Sequence, residues 1–145
     1  MTRAPVHLLL VEDNPADVFL LEAALDLAAV PVEMTVARDG LEALEYLHQT
    51  KAGARLPDLI LLDLNMPRMN GFEFLAAVRA DPDLMGLVIL VFTTSNAEAD
   101  VKRAYALQAN AYLSKPANLD AFLQTVHLLE AHWFGAASLP RSFAP

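Results

Sequence analysis

The stretch Leu59-Ile60-Leu61-Leu62-Asp63-Leu64-Asn65-Met66-Pro67-Arg68-Met69-Asn70-Gly71 sets the reading of the whole chain. Its opening aliphatic run, Leu59–Leu62, is long enough for a strand buried on both faces and too short for a helix. Asp63 follows where that run stops, and Pro67 and Gly71 break the chain into a turn before Phe72, Leu75 and Val78 take up helical spacing. A carboxylate at the carboxyl end of a buried parallel strand lies where open α/β sheets place their ligands. On this stretch alone the plainer reading, a strand-end aspartate that caps a turn, stays open.

Outward from it, the same pattern repeats. Val6–Val11 is an apolar run that stops at the acidic pair Glu12-Asp13. Asn14-Pro15 then supplies a helix cap and a first-turn proline, and Val18, Leu21, Leu25 and Ala28 mark an amphipathic helix that stops near Val30-Pro31. Val32–Ala37 alternates like a strand nearer a sheet edge, and Asp39-Gly40 turns into a helix carrying Leu41, Leu44 and Leu47. His48 to Pro57 is polar and without period, so a loop is expected there. After the helix that ends near Ala80, Val88–Phe92 is another buried strand, closed by Thr93-Thr94-Ser95-Asn96. A weak helix over Ala97–Leu107, a short strand over Ala111–Leu113 and a helix capped by Asn118 complete the pattern. The last helix carries Leu119, Phe122, Leu123, Val126, Leu129 and Trp133 as its stripe. Strands alternating with helices imply a parallel sheet with helices on both faces and right-handed crossovers.

Composition narrows the function. A chain of 145 residues fits one domain. With no cysteine, disulfides and thiolate metal sites are excluded, and a reducing, cytoplasmic setting is expected. No stretch reads as a signal peptide or a membrane span. The formal charge of −8, with the basic residues scattered, argues against a nucleic-acid surface and for a cation site or a protein partner. A 55% hydrophobic content hints at apolar surface used for association. The four histidines show no metal spacing.

The strand ends carry the chemistry: Glu12-Asp13, Asp63, Thr93 and Lys115 follow the first, third, fourth and fifth strands. All carboxyl ends of a parallel sheet lie on one edge, so these side chains converge. Crowded carboxylates repel, which raises at least one pKa, and a divalent cation relieves that repulsion. Oxygen ligands without Cys or His select Mg²⁺. Asp63 can then act as a nucleophile that takes a phosphoryl group. The transferred group's oxygens need neutralising, by the cation, by Lys115, and by the Thr93 hydroxyl or nearby N–H groups. Singly, each residue has an ordinary explanation: a helix-start acidic pair, a solvated loop lysine, a strand-end threonine. Their joint occurrence favours the functional one.

The runs Val11-Glu12-Asp13-Asn14-Pro15, Leu61-Leu62-Asp63-Leu64-Asn65-Met66-Pro67-Arg68-Met69-Asn70-Gly71, Phe92-Thr93-Thr94-Ser95 and Tyr112-Leu113-Ser114-Lys115-Pro116 resemble the motifs of response-regulator receiver domains of two-component signalling, over about residues 5–131. The resemblance implies a flavodoxin-like (βα)5 fold, a doubly wound parallel five-stranded sheet of order 2-1-3-4-5. It implies a receiver domain over 1–134 and an irregular C-terminal extension over 135–145. It further implies that Asp63 accepts a phosphoryl group from a phosphohistidine on a sensor kinase. Asp13, Asp63 and the backbone carbonyl of Asn65 would bind Mg²⁺, with Glu12 acting mainly through water. Lys115 would pair with the phosphate, across a cis bond to Pro116. Thr93 and Tyr112 match the switch pair, which would repack the face made by the fourth helix, fifth strand and fifth helix. Receivers commonly have glycine where this chain has Gln108; if that position needs positive φ, glutamine costs about 1 kcal/mol there, or Asn110 takes over the role. Glu12-Asp13-Asn14-Pro15-Ala16-Asp17, the longer loop before the third strand, and Trp133-Phe134 with Leu139-Pro140 are similar to the stand-alone receivers that partner phytochrome-type histidine kinases.

Output would be a protein contact, with a homodimer through that switching face and the C-terminal extension. Trp133 and Phe134 either finish the core or form part of this patch. The expected role is a signalling switch that catalyses only its own phosphorylation and dephosphorylation. A phosphohydrolase with an aspartyl-phosphate intermediate typically needs a second acid where this chain has Asn65. A phosphorelay intermediate, passing phosphate to a histidine phosphotransfer protein, is the remaining alternative. The resemblance further implies that Asn65 would position an attacking water for self-dephosphorylation, with Ser95 where such families tune that step.

Overall fold

A computed structural model describes residues 5–29, 31–53 and 55–134, with backbone only for 51–53 and 134. Five strands, β1 (Val6–Val11), β2 (Val32–Ala37), β3 (Leu59–Leu62), β4 (Ile89–Thr93) and β5 (Ala111–Ser114), form one parallel sheet in the order β2-β1-β3-β4-β5. Between and after them run α1 (Pro15–Leu27), α2 (Gly40–Gly53), α3 (Gly71–Ala80), α4 (Glu98–Ala106) and α5 (Leu119–Leu129). A π-helical turn over Glu130–Phe134 continues α5. The parallel sheet covered on both faces is what the alternation of apolar strands and amphipathic helices predicts, and its order is the flavodoxin-like one that the family resemblance implies.

Strand side chains alternate, so the sheet has two cores. On one face Leu9, Val11, Ile60, Leu62, Ile89 and Val91 pack with Ala43 and Leu47 of α2, Phe74 and Val78 of α3 and Ala104 of α4. On the other, Leu8, Leu10, Leu59, Leu61, Leu90 and Phe92 pack with Leu21 and Leu25 of α1 and with Phe122, Val126 and Leu129 of α5. Trp133 packs against this second core, so the tryptophan folds back onto the domain. The side chain of Phe134 and the 135–145 extension lie outside the described residues.

Several expectations need correction. The segment from His48 is not a loop at once: α2 runs to Gly53, because its buried side is already set by Ala43 and Leu47, while His48 and Gln49 face water. Helix α4 buries Ala104 alone, in keeping with its weak amphipathic pattern, and its Tyr105 is half exposed. No cis peptide bond occurs among the described residues, so Lys115–Pro116 is trans, the isomer that X–Pro bonds intrinsically favour. Gln108 itself takes the left-handed backbone, φ 69°. Asn110 does not replace it there; its Oδ1 instead accepts from Ile89 N (2.7 Å) and Arg79 Nη2 (3.0 Å).

Candidate functional site

Register brings the acids level. Val11 pairs with Leu62, so the next residues along β1 and β3, Glu12 and Asp63, leave the sheet side by side. Asp63 N donates to Val11 O (3.0 Å), and Glu12 N donates to Ala37 O (2.8 Å). Glu12 and Asp63 are buried while Asp13, one residue on, turns outward. One carboxylate oxygen from each of the three lies within 4.8 Å of the others. At the far side of the sheet Thr93 pairs with Ser114, and Lys115 N donates to Thr93 O (2.8 Å), which returns Lys115 toward β3.

Lys115 Nζ stands 2.5 Å from Glu12 Oε1, 3.0 Å from Asp17 Oδ2 and 3.4 Å from Asp63 Oδ2. Burial pushes the Glu12 carboxyl up, and the negative charge of Asp63 adds to it; the bond to Lys115 only partly opposes them, leaving a value of about 7. Burial pulls the Lys115 ammonium down, but hydrogen bonds to Glu12 and Asp17 and the charge of Asp63 outweigh it, and it is pushed up to about 12. In this pair the lysine stays charged and Glu12 is the group whose charge the site resists. The donor set is oxygen only, and the crowding raises one carboxyl, so the residues fit a hard divalent cation.

The other predicted residues sit around this centre. Thr93 is fully buried, and its Oγ1 accepts a long 3.5 Å hydrogen bond from Ser95 N. Tyr112 is partly buried and its hydroxyl donates to Ser95 O (2.7 Å). Burial pushes the Tyr112 phenol up, against that bond and with Asp100 and Asp63 adding to the rise. Ser95 Oγ donates to Asp100 Oδ2 (2.6 Å), which ties the loop after β4 to the first turn of α4. Asn65 is exposed and lines a groove of about 640 Å³ with Asp13, Pro67, Phe72 and Arg103, whose guanidinium lies 4.2 Å from the Phe72 ring centre. His127 and His132 are exposed, and His132 packs edge-on against Trp133 (4.8 Å).

Sequence reasoning overlooked two partners. Asp17 contacts Lys115, yet in sequence it reads as an ordinary acid in a helix's first turn. Asp39 is buried, caps α2 through Glu42 N (2.9 Å) and receives Arg68 Nε at 2.7 Å, which anchors the loop after Asp63 to α2. Gly40 N donates to Met69 O (3.0 Å) beside it. The acid directly before Gly40 at a helix start was the available signal for the cap, though not for the pairing with Arg68.

Comparison with known proteins agrees with this geometry. The response regulator receiver domain family matches residues 8–127. The response regulator Rcp1 of Synechocystis sp. is 39% identical over 141 residues, covering 96% of each chain. The structure of the phosphorylated cyanobacterial phytochrome response regulator RcpA superposes with a TM-score of 0.87 at 44% identity, covering 94% of this chain and 99% of that one. A Mn²⁺-bound form of Rcp1 superposes with a TM-score of 0.84 at 39% identity, covering 94% and 99%. With its sheet order, its acidic cluster and these likenesses taken together, the chain belongs to the response regulator receiver family of two-component signalling, close to the phytochrome response regulators.

Proposed function

We propose that this protein is a stand-alone response regulator whose Asp63 accepts a phosphoryl group from a phosphohistidine of a phytochrome-type sensor kinase. The observation that carries the reading is the placing of Lys115 Nζ 3.4 Å from Asp63 Oδ2 beside a cluster of three carboxylates. An Asp63 oxygen attacks phosphorus, the P–N bond to the kinase histidine breaks, and the imidazole nitrogen leaves with the bonding pair. Asp13, Asp63 and the Asn65 carbonyl would hold Mg²⁺, with Glu12 acting through water. When bound, the ion supplies positive charge against the phosphoryl oxygens. Lys115 neutralises another oxygen, and the buried Thr93 hydroxyl turns toward a third. Tyr112 then exchanges its bond to Ser95 for a more inward packing, repacking α4, β5 and α5.

Output is a protein contact. Tyr105 on α4 is half exposed and Leu128 on α5 largely so, both on elements of that face, which supports a homodimer there, with residues 135–145 contributing as an extension of the domain. Incubation with acetyl phosphate and Mg²⁺ should add one phosphate by intact mass in the wild type and none in Asp63→Asn. Absence of the gain in the wild type overturns the acceptor assignment. Labelled transfer from a phytochrome-type kinase tests the donor. A monomeric mass at micromolar concentration, with and without phosphorylation, overturns the dimer.

A further inference from the structure

We propose that Asp17, in the first turn of α1, is a positioning residue that restrains Lys115 and thereby sets how readily the site takes an anionic phosphodonor. The inference rests on the reading of Asp63 as the acceptor. An ammonium has three N–H donors, and three carboxylates share this one: Glu12, Asp17 and Asp63, with Asp63 the most distant at 3.4 Å. Asp17, 98 residues away in sequence, is the partner that stands outside the cation cluster of Glu12, Asp13 and Asp63. A cation drawing on Glu12 therefore leaves Asp17 as the carboxylate still committed to Lys115. Its side chain is 19% exposed, so its charge is screened less than a surface acid's.

Two effects follow with the same sign. Asp17 discounts the positive charge that Lys115 offers a phosphoryl oxygen, and it repels an incoming anion. Asp17→Asn keeps an oxygen that can accept from Lys115 and removes only the charge. A unit charge several ångströms away, in a medium between protein and water, is worth about threefold to tenfold in rate.

The test measures initial phosphorylation rates of the full chain by intact mass, at saturating Mg²⁺, with acetyl phosphate and with the less charged phosphoramidate, from about 50 to 500 mM salt. Asp17→Asn should accelerate acetyl phosphate by about threefold to tenfold and phosphoramidate less, with the gain shrinking as salt rises. Asp17→Glu, which restores the charge, should return to near the wild-type rate. A merely structural role would move Asn and Glu alike, leave both donors equally affected, and show no salt dependence; any of these results overturns the proposal. So does an unchanged or slower rate in Asp17→Asn while the wild type is phosphorylated normally. A wild type that takes no phosphate overturns the acceptor reading, and this inference with it.

Discussion

Gly71 lies against the backbone of Asp63, the proposed acceptor, and replacing it with alanine puts the link between packing and chemistry to a test. A Cβ on Gly71 would stand 2.4 Å from Asp63 O and 2.8 Å from Leu64 Cα, both backbone atoms. Carbon and carbonyl oxygen ordinarily approach no closer than about 3.3 Å, so the Asp63 carbonyl must withdraw by about 0.9 Å. Neither atom can turn away as a side chain would, and Gly71 N already donates to Leu64 O (3.0 Å), which ties the two segments together. Overpacking costs about 1–3 kcal/mol, and a backbone clash belongs at the upper end. At about 2–4 °C per kcal/mol for a chain near this size, Tm should fall by about 6–12 °C. A shift near 1 Å in the peptide that carries the nucleophile should slow phosphorylation by up to about a hundredfold. Gly86→Ala is the control: nothing lies within 4 Å of its Cβ, and it should be neutral or stabilise by about 0.4–1 kcal/mol. Thermal denaturation and phosphorylation by acetyl phosphate, read side by side, decide it. If Gly71→Ala melts with the control, the steric argument is wrong; if it melts early yet phosphorylates at the wild-type rate, the loop moves as a unit and the coupling to Asp63 is wrong.

Burial alone would raise the Asp39 carboxyl, but its bonds from Arg68 and from backbone N–H groups outweigh that and hold it below the usual carboxylate range. Such a depressed group stabilises the fold above the usual carboxylate pKa, and the contribution is lost as pH falls through its folded value. The gap in urea midpoint between wild type and Arg68→Ala should therefore be full at neutral pH and close in acid; a gap independent of pH would refute the pairing. Gln108→Gly relieves a left-handed backbone and should raise stability by up to about 1 kcal/mol in denaturant melts. Arg79 donates to Met85 O (2.8 Å), Leu87 O (2.7 Å), Gln108 O (3.0 Å) and Asn110 Oδ1 (3.0 Å), so Arg79→Met should lower stability by about 2 kcal/mol, and hydrogen exchange should rise in the loop before β5 first.

The sheet was legible because β1, β3 and β4 are continuous apolar runs, which only a doubly covered strand explains, and because each stops at a residue with chemistry. That Glu12, Asp13, Asp63 and Lys115 lie along one sheet edge follows from parallel topology, and their meeting follows from the strand order that the family resemblance implies. What was not legible depends on contacts between distant segments or on small energy differences. The extension of α2 past His48 is carried by polar residues that read equally well as loop. The Lys115–Pro116 isomers differ intrinsically by only about 0.5–1 kcal/mol, too little for a motif to decide. Arg68 and Asp39 are 29 residues apart, and no local pattern pairs them. The need for positive φ at Gln108 was visible only as a departure from a family habit.

The two sides of the site are built to different stiffness, and this determines where a change at Asp63 can go. On the Asp63 side β3 is buried along its whole length, α3 starts with a reciprocal Asn70–Glu73 cap, and the intervening loop is bolted to α2 by Arg68–Asp39 and Gly40–Met69. On the other side α4 lacks a side-chain cap and buries Ala104 alone, and β5 is only half buried. There Ser95 N donates to the Thr93 hydroxyl at 3.5 Å and the Tyr112 hydroxyl donates to Ser95 O at 2.7 Å. A phosphoryl group on Asp63, as proposed, would not displace the first side without breaking buried packing, whereas the second would exchange one hydrogen bond for another at about 1 kcal/mol. Local opening follows the lower cost. On the proposed acceptor role of Asp63, the asymmetry that should make Gly71 intolerant of a methyl group would direct the response through Thr93 and Tyr112 into α4 and β5, so substitutions on the α4 side should alter output while leaving the phosphorylation rate of Asp63 nearly unchanged.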